Sequence, residues 1–345
     1  MSRFFLFLVV LALAGCGNAK EKKIISDVET LMKFHEYSKA MMVLKEALQT
    51  EPKNKKFLRY RILVLLKAEQ PDLAYAAYRQ MKEKISSGDD VLLKALENED
   101  VAIRVTAAQV LSVAKEPESV PALIKRVSDS DETVRRAAIN ALRELKDWRA
   151  TEALLKALKD ESWFVRGEAA QALSAIGATE ALPALFEALH DSDAYVKQAA
   201  GAALIALANG DSLEIFSQQL SHDDWETKLI AAIALAKNGN DRGKTFLIRA
   251  LEESQGDAWH RRLCVEALID LKASEALPLL QKIAEGDKDS QVRLAAITAL
   301  GLMPDASSFA VLDRIRKNPQ ISPAVRAHAE EALRLIDATL RNPIY

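Results

Sequence analysis

The sequence predicts an all-α protein, built as a solenoid of about eight helical hairpins. A segment with the pattern D-x-x-V-R-x-x-A-A-x-A-L recurs along the chain, as in "DETVRRAAINAL" from Asp131 and "DSQVRLAAITAL" from Asp289. The basic residue of this segment returns every 31 to 33 residues. The apolar residues that follow it have the spacing of one helix face. A period of this length is typical of proteins whose repeated units stack on their neighbours.

Each repeat contains two helical patterns. In the second, the apolar residues advance in steps of three and one, which places them on one stripe of a helix: Val134, Ala137, Ala138, Ala141, Leu142 and Leu145. Another apolar helical pattern precedes it, as in residues 150–158. Eight residues, each four positions before a basic residue, are suited to cap the second helices: Asp100, Asp131, Ser162, Asp193, Asp224, Asp257, Asp289 and Ser322.

These repeats resemble a HEAT-repeat array of the short type that also occurs in phycobilin lyases. The resemblance covers about residues 90–338. It implies a right-handed α-solenoid of stacked antiparallel helix pairs, with the second helices on the concave side. The inner surface of such an array is available for binding.

A different helical stretch precedes the array. Residues 35–52, "HEYSKAMMVLKEALQTEP", resemble a tetratricopeptide unit, and Ala74 follows Ala40 by the 34-residue period of that family. The family's usual glycines are replaced by His35 and Glu69. We therefore predict one regular and one degenerate tetratricopeptide-like unit over residues 24–86, with a joint at 86–90.

The chain begins with the features of an export signal. Arg3 precedes an apolar run that is too short to span a bilayer and ends in "LAGC" at Cys16. This motif resembles a bacterial lipobox, which implies that residues 1–15 are cleaved and that Cys16 carries the acyl chains. Residues 16–23 are then a tether, and residues 339–345 a C-terminal tail. An ordinary signal peptide with a chance cysteine is the alternative. Gly17, where an aspartate would favour inner-membrane retention, favours the outer membrane facing the periplasm.

Composition limits the functional classes. The chain has 47 basic and 49 acidic residues and a formal net charge of −2, so that nothing demands a nucleic-acid partner. Cys264 is the only cysteine besides Cys16. It lies on the predicted buried stripe, where a thiol acts as a small apolar group. The mature protein therefore has no intrachain disulfide and depends on its core.

The basic residues of the repeats form what we call the basic ladder: Arg104, Arg135, Arg166, Lys197, Lys228, Arg261, Arg293 and Arg326. A row of cations can bind phosphates along a groove. Acidic residues accompany the ladder at each step, however, as in the HEAT family. We therefore expect each ladder residue to bond the turn and the capping aspartate of its own or a neighbouring unit.

The sequence predicts no catalytic residue, no cofactor and no metal site. His190 and His222 lie in consecutive turns beside aspartates, a combination that could bind zinc. Polar turns with capping aspartates have the same composition, which is the interpretation we favour. No Ser-His-Asp arrangement, phosphate-binding glycine loop or CxxC motif occurs.

Aromatic residues occupy the two positions after the cap in the third to sixth repeats: Trp163, Phe164, Tyr195, Trp225 and Trp259. Helical spacing places them opposite the core stripe, on the predicted concave ridge. Exposed aromatic side chains in a row are typical anchors of a binding surface. The alternative is that they pack on the adjacent turns.

Together these patterns favour a lipid-anchored scaffold of the bacterial cell envelope that binds a protein or peptide on the solenoid. The sequence indicates no enzyme. Two other functions stay open: a lyase-like protein that handles a tetrapyrrole, and a glycan or peptidoglycan binder that uses the tryptophans.

Overall fold

The computed structural model describes residues 17–85, 90–253, 256–303 and 305–341. The chain is 80% helical, and the described residues contain no strand, which confirms the predicted all-α solenoid. Cys16, the predicted lipidation site, lies outside the described residues. No single helix among the described residues is long and apolar enough to cross a membrane, although one bent pair, Ala194–Leu207 with Gly210–Gln219, meets the length and composition criteria together.

Four helices come before the hairpin that carries the first ladder residue, Arg104: α1 (Gly17–Lys33), α2 (Tyr37–Thr50), α3 (Lys55–Lys67) and α4 (Pro71–Lys84). Helix α1 includes residues 17–23, which the sequence assigned to a tether. Residues Val28, Ala40, Leu44 and Phe57 form a core shared by α1, α2 and α3. Ala74 is buried at the corresponding place in α4.

Eight helical hairpins follow. Their first helices are α5 (Val91–Ala95), α7 (Val120–Arg126), α9 (Thr151–Ala157), α11 (Leu182–Ala188), α13 (Leu213–Gln219), α15 (Lys244–Glu252), α17 (Leu277–Gly286) and α19 (Ala306–Lys317). Their second helices are α6 (Val101–Ala114), α8 (Glu132–Leu145), α10 (Trp163–Ile176), α12 (Ala194–Leu207), α14 (Trp225–Lys237), α16 (Ala258–Asp270), α18 (Ser290–Leu302) and α20 (Pro323–Arg341).

The chain divides into two compact units. The first contains the described residues up to 184 together with residues 193–199, and the second contains residues 185–192 and the described residues from 200 onwards. In the first unit, α6, α8 and α10 pack side by side, while α7 packs on α8 and α9 on α10. In the second unit, α14, α16, α18 and α20 make the corresponding row, with α13, α15, α17 and α19 packed on it. Each unit therefore has two helical layers with its core between them.

The cap residues of the second helices lie where the sequence predicts. Six of the eight, Asp100, Asp131, Asp193, Asp224, Asp257 and Asp289, accept a hydrogen bond from a backbone N–H of the first turn at 3.3 Å or less. Ser322 accepts one from Val325 N at 3.5 Å. Ser162 is the exception, because its side chain makes no capping hydrogen bond. Helix α10 therefore starts without side-chain capping.

In three successive repeats the second helix ends directly before a residue in the left-handed conformation. The turn residues are Lys115, Lys146 and Gly177, at φ of 51°, 53° and 79°. They are equivalent positions in successive repeats. A left-handed conformation favours glycine, because a Cβ atom crowds the following carbonyl oxygen there. The two lysines therefore hold a conformation that the third repeat supports with a glycine, as does the fifth repeat with Gly239 at φ of 72°.

His35 and Glu69 adopt the same left-handed conformation, at φ of 58° and 54°. These are the positions at which the tetratricopeptide family has glycine. Both residues therefore hold a conformation that favours glycine.

Candidate functional site

The first unit carries an exposed group of aromatic side chains at the start of α10 and α12. The rings of Trp163 and Phe164 stack with centroids 3.4 Å apart and planes inclined by 26°. Tyr195 meets Trp163 edge to face at 5.6 Å and lies 6.3 Å from Phe164. Trp163 is 38% exposed and Phe164 37% exposed. We call Trp163, Phe164 and Tyr195 the aromatic cluster.

A glycine in α10 makes room for Tyr195. Gly167 has no side chain, and a Cβ atom added there would overlap the tyrosine ring. The ring can therefore lie directly on the backbone of the preceding second helix. This contact brings three aromatic rings from two helices onto one surface.

A partly buried ion pair, Arg136 with Glu168, lies against the cluster. The guanidinium of Arg136 lies over the Phe164 ring at 4.4 Å and donates two hydrogen bonds, of 3.2 and 3.1 Å, to Oε1 of Glu168. Glu168 is only 7% exposed, and its Oε2 has no hydrogen-bond partner among the described residues. The charge of Arg136 is thus held against an aromatic face, an arrangement that is attractive through the ring quadrupole.

A chain of hydrogen bonds joins the three second helices beside the cluster. Arg143 in α8 donates to Oε1 of Gln171 in α10 at 3.1 Å. The amide of Gln171 in turn donates to the hydroxyl of Tyr195 in α12 at 2.9 Å. These hydrogen bonds link α8, α10 and α12 and fix the orientation of the Tyr195 side chain.

The tryptophans of the second unit have a different environment. Trp225 and Trp259 are half-buried and pack against the core of that unit. The indole Nε1 of Trp225 is buried and has no acceptor among the described residues. A Cβ atom added at Gly201 would lie 3.0 Å from Cη2 of Trp259, so this ring also fills space above a glycine. Both indoles therefore take part in packing, and each keeps part of its surface exposed to solvent.

His260 lies between these two indoles. It meets Trp225 at 5.5 Å and Trp259 at 4.8 Å, both edge to face, and its Nδ1 lies 2.9 Å from the cap residue Asp257. Burial alone would raise the pKa of Asp257, but hydrogen bonds from His260 and the charge of its ring lower that pKa overall.

In the first unit the basic ladder bonds two successive turns. Nη1 of Arg104 donates to the carbonyl oxygens of Asn98 and Glu99, both at 2.9 Å, and Nη2 donates to Asp129 of the next repeat at 2.8 Å. Arg135 repeats the arrangement with Asp160 at 2.9 Å. Nη1 of Arg166 donates to the carbonyl oxygens of its own turn.

In the second unit Arg261 makes the same contacts. It donates to both carboxylate oxygens of Asp287, at 3.1 and 3.0 Å, and to the carbonyl oxygen of Gly256 at 3.2 Å. Burial would raise the pKa of Asp287, but the hydrogen bond and charge of Arg261 lower it overall. Lys197, Lys228, Arg293 and Arg326 are half-buried at the equivalent positions.

The carboxylate that binds the ladder arginine in each of these pairs does not belong to a capping aspartate, contrary to the sequence prediction. Asp129, Asp160 and Asp287 lie two residues before the caps Asp131, Ser162 and Asp289. Besides binding the arginine of the preceding repeat, each accepts the backbone N–H of its cap residue, at 3.1, 2.9 and 2.8 Å. Sequence reasoning assigned this role to the capping aspartate. The recurrence of an acidic residue two positions earlier was the available signal.

The two histidines considered for a metal site have turn contacts instead. Nδ1 of His222 accepts the backbone N–H of Asp224 at 3.0 Å, which is the role of the aspartate in other repeats. Nε2 of His190 lies 3.4 Å from the carboxylate of Asp224. Over the described residues no group of three or more His, Cys, Asp or Glu side chains could hold a metal ion.

Burial raises the pKa of Cys264 to about 12.

Three exposed aromatic residues of the described chain were not singled out in the sequence: Phe34, Trp148 and Phe309. Trp148 begins the short turn before α9 and is 77% exposed, more than either ring of the stacked pair. It has no repeat-related aromatic neighbour in the sequence, so periodicity gave no signal for it.

Comparisons with known proteins agree with the repeat architecture. The sequence profile of HEAT repeats matches residues 59–143, 120–205, 186–257 and 250–334. No curated protein matches the chain. An engineered protein of known structure is 22% identical, with 96% of this chain and 98% of that chain covered and a TM-score of 0.43.

Two further solved structures are similar. The complex of CpcE and CpcF of phycocyanin lyase from Nostoc sp. is 21% identical, covers 74% of this chain and 96% of its own, and has a TM-score of 0.39. Human deoxyhypusine hydroxylase in complex with glycerol is 21% identical, covers 72% of this chain and 96% of its own, and has a TM-score of 0.34. Because the repeat profile matches most of the chain, the protein belongs to the HEAT-repeat family.

Proposed function

We propose that this protein is a lipid-anchored scaffold of the bacterial cell envelope, and that it binds a protein or peptide on its second helices. The aromatic cluster is the centre of the binding surface. Trp163 and Phe164 are the anchors, while Tyr195 and Arg136 hold them in place.

The observation that carries this proposal is the exposure of a stacked pair of large aromatic rings. More than a third of each side chain is accessible to solvent, although a folded chain gains by burying such rings. Trp, Tyr and Arg are the residues most often found as anchors in protein interfaces. A partner that covers both rings would remove this apolar surface from water.

The surroundings of the rings favour a rigid site. Phe164 is held between Trp163 and the guanidinium of Arg136, and Tyr195 is fixed by Gln171. Side chains that are already ordered lose little conformational entropy on binding. The binding surface is therefore preorganised.

The second-unit tryptophans have a secondary place in this proposal. Trp225 and Trp259 are half-buried and pack against the core of the second unit, so we assign the anchoring role to the first unit. The basic ladder is assigned to the turns, because Arg104, Arg135 and Arg261 already bind carbonyl oxygens and aspartates.

The membrane part of the proposal is supported by "LAGC" after a short apolar run, with Cys16 as the acylated residue. Several acyl chains anchor a protein stably where one chain does not. Incorporation of a labelled fatty acid by the wild-type protein but not by Cys16→Ala tests it. Equal labelling of both proteins, or of neither, contradicts the anchor.

The partner can be captured in intact cells. A photoreactive amino acid at position 164 is expected to give one dominant crosslinked protein, which mass spectrometry identifies. The same amino acid at position 148 is the matched control, since Trp148 is also exposed but lies outside the aromatic cluster. Identical adducts from both positions, or none from position 164, would contradict the proposed surface.

A further inference from the structure

One end of the first unit is rich in lysine. Its residues lie in the first turns of α1 and around the start of α3: Lys20, Lys22, Lys23, Lys53, Lys55 and Lys56. We call this set the lysine end. All except Lys20 are exposed.

Glu21 joins the two halves of the lysine end. It accepts hydrogen bonds from the amide of Asn54 at 2.9 Å and from the ammonium of Lys56 at 2.6 Å. Asn54 also caps α3 by accepting from the backbone N–H groups of Lys56 and Phe57. The start of α1 is thereby held beside the start of α3, although the two segments are more than 30 residues apart in sequence.

The positive charge of this end exceeds its negative charge. Residues 17–23 and 50–56 contain six lysines and only two acidic residues, Glu21 and Glu51. Glu21 is bound to Lys56, and Glu51 accepts from Asn54 at 2.8 Å. The whole chain has a net charge of −2, so the excess of positive charge is a local property of this end.

A cleft next to the lysine end adds further cations. Its volume is about 540 Å³, and its lining includes four cations, Lys22, Lys56, Arg59 and Lys94, against one carboxylate, Glu29. Apolar side chains such as Ile25, Leu63 and Val91 also line it. A cationic rim beside apolar surface suits an anionic amphiphile, such as a phospholipid, better than a freely soluble ion.

The position of the lysine end in the chain points to a membrane surface. Helix α1 begins at Gly17, one residue after Cys16. An acyl chain at Cys16 would hold the first turn of α1, and hence the whole lysine end, at the headgroup layer. Basic residues next to a lipid anchor strengthen binding to anionic leaflets.

We infer that the lysine end docks on the headgroups of anionic phospholipids and so orients the first unit on the membrane. This inference rests on the proposed lipidation of Cys16. Each lysine at such a surface is worth roughly a fivefold gain in partitioning, so three lysines contribute on the order of 100-fold. Screening by salt weakens the attraction.

The test uses mature chain carrying Cys16→Ser, which has no acyl group, and sedimentation with vesicles of phosphatidylcholine with or without phosphatidylglycerol. We expect binding only when phosphatidylglycerol is present, and release by added salt. The variant Lys20→Gln, Lys22→Gln, Lys23→Gln is expected to bind on the order of 100-fold more weakly.

A matched control has three exposed lysines changed elsewhere: Lys125→Gln, Lys282→Gln, Lys288→Gln. It has the same net charge as the test variant and should bind like the parent protein. Equal loss in both variants would show a general charge effect and overturn the inference. Absence of binding to phosphatidylglycerol vesicles would also overturn it. Because the protein is not acylated, neither outcome bears on fatty-acid labelling at Cys16 or on partner capture at position 164.

Discussion

The contribution of the basic ladder to stability can be measured at Asp287. Its carboxylate receives two hydrogen bonds from Arg261, and the side chains of both are almost covered, at 11% and 4% exposure. Asp287→Ala would leave the guanidinium buried without its hydrogen-bonded carboxylate. It would also remove the acceptor for the backbone N–H of Asp289. Removing one partner of a buried ion pair costs about 3–5 kcal/mol of unfolding free energy.

A control lies two residues away. Glu285 also pairs with an arginine of a neighbouring helix, Arg314, at 2.7 Å, but these side chains are 43% and 64% exposed. Exposed pairs contribute about 0–1 kcal/mol. Urea unfolding, followed by circular dichroism, should therefore show a much larger loss for Asp287→Ala than for Glu285→Ala.

The pair also predicts a pH dependence. The pKa of Asp287 is lowered in the folded state, since Arg261 and the Asp289 N–H outweigh the effect of burial. A carboxylate with a lowered folded pKa stabilises the fold above its unfolded pKa, near 3.9, and loses that contribution as the pH falls through the folded pKa. The difference between wild type and Asp287→Ala should be constant near neutral pH and shrink in acid. Equal losses for Asp287→Ala and Glu285→Ala would refute the structural role of the ladder.

Two other predictions concern helix ends in the first unit. Lys146→Gly should raise the unfolding free energy by about 1 kcal/mol, because glycine relieves the left-handed strain, and Gly177→Lys should lower it by a similar amount. Thermal unfolding measures both changes. A lower unfolding free energy in Lys146→Gly would contradict this prediction. Asp131→Ala should cost about 1 kcal/mol, since its carboxylate accepts two backbone N–H groups, whereas Ser162→Ala should cost well under that. Equal urea midpoints for these two cap variants would show that the caps do not differ.

The repeat period was enough to predict the second helices. A shift of 31 to 33 residues brings each basic residue to the same place in a helix, and the cap four residues earlier then marks where that helix starts. These are local relations, decided by hydrogen bonds within a few residues. The structure accordingly begins α8 immediately after Asp131 and α18 immediately after Asp289.

Exposure of the aromatic side chains could not be predicted in the same way. Trp163 and Trp225 occupy the same position in their repeats, yet one is exposed and the other packs on a core. The difference comes from neighbours in other repeats. Trp259 covers Gly201, and Tyr195 covers Gly167. Such contacts depend on how successive helices are spaced, which a single repeat does not specify.

The acceptors of the ladder were also missed for a physical reason. A guanidinium reaches about 6 Å from its backbone, far enough to cross to the next repeat. Proximity in sequence favoured the cap of the same turn, but the available partner was Asp129 for Arg104 and Asp160 for Arg135.

The central claim is that Trp163 and Phe164 anchor a partner. The most direct measurement is the dissociation constant of the captured partner for wild type and for the double variant Trp163→Ala, Phe164→Ala, with Trp148→Ala as the control. Truncating an anchor costs at least about 2 kcal/mol, roughly thirtyfold in affinity for each residue. We expect the double variant to keep wild-type helicity and to lose the partner, while the control binds normally. Wild-type affinity in the folded double variant would contradict it.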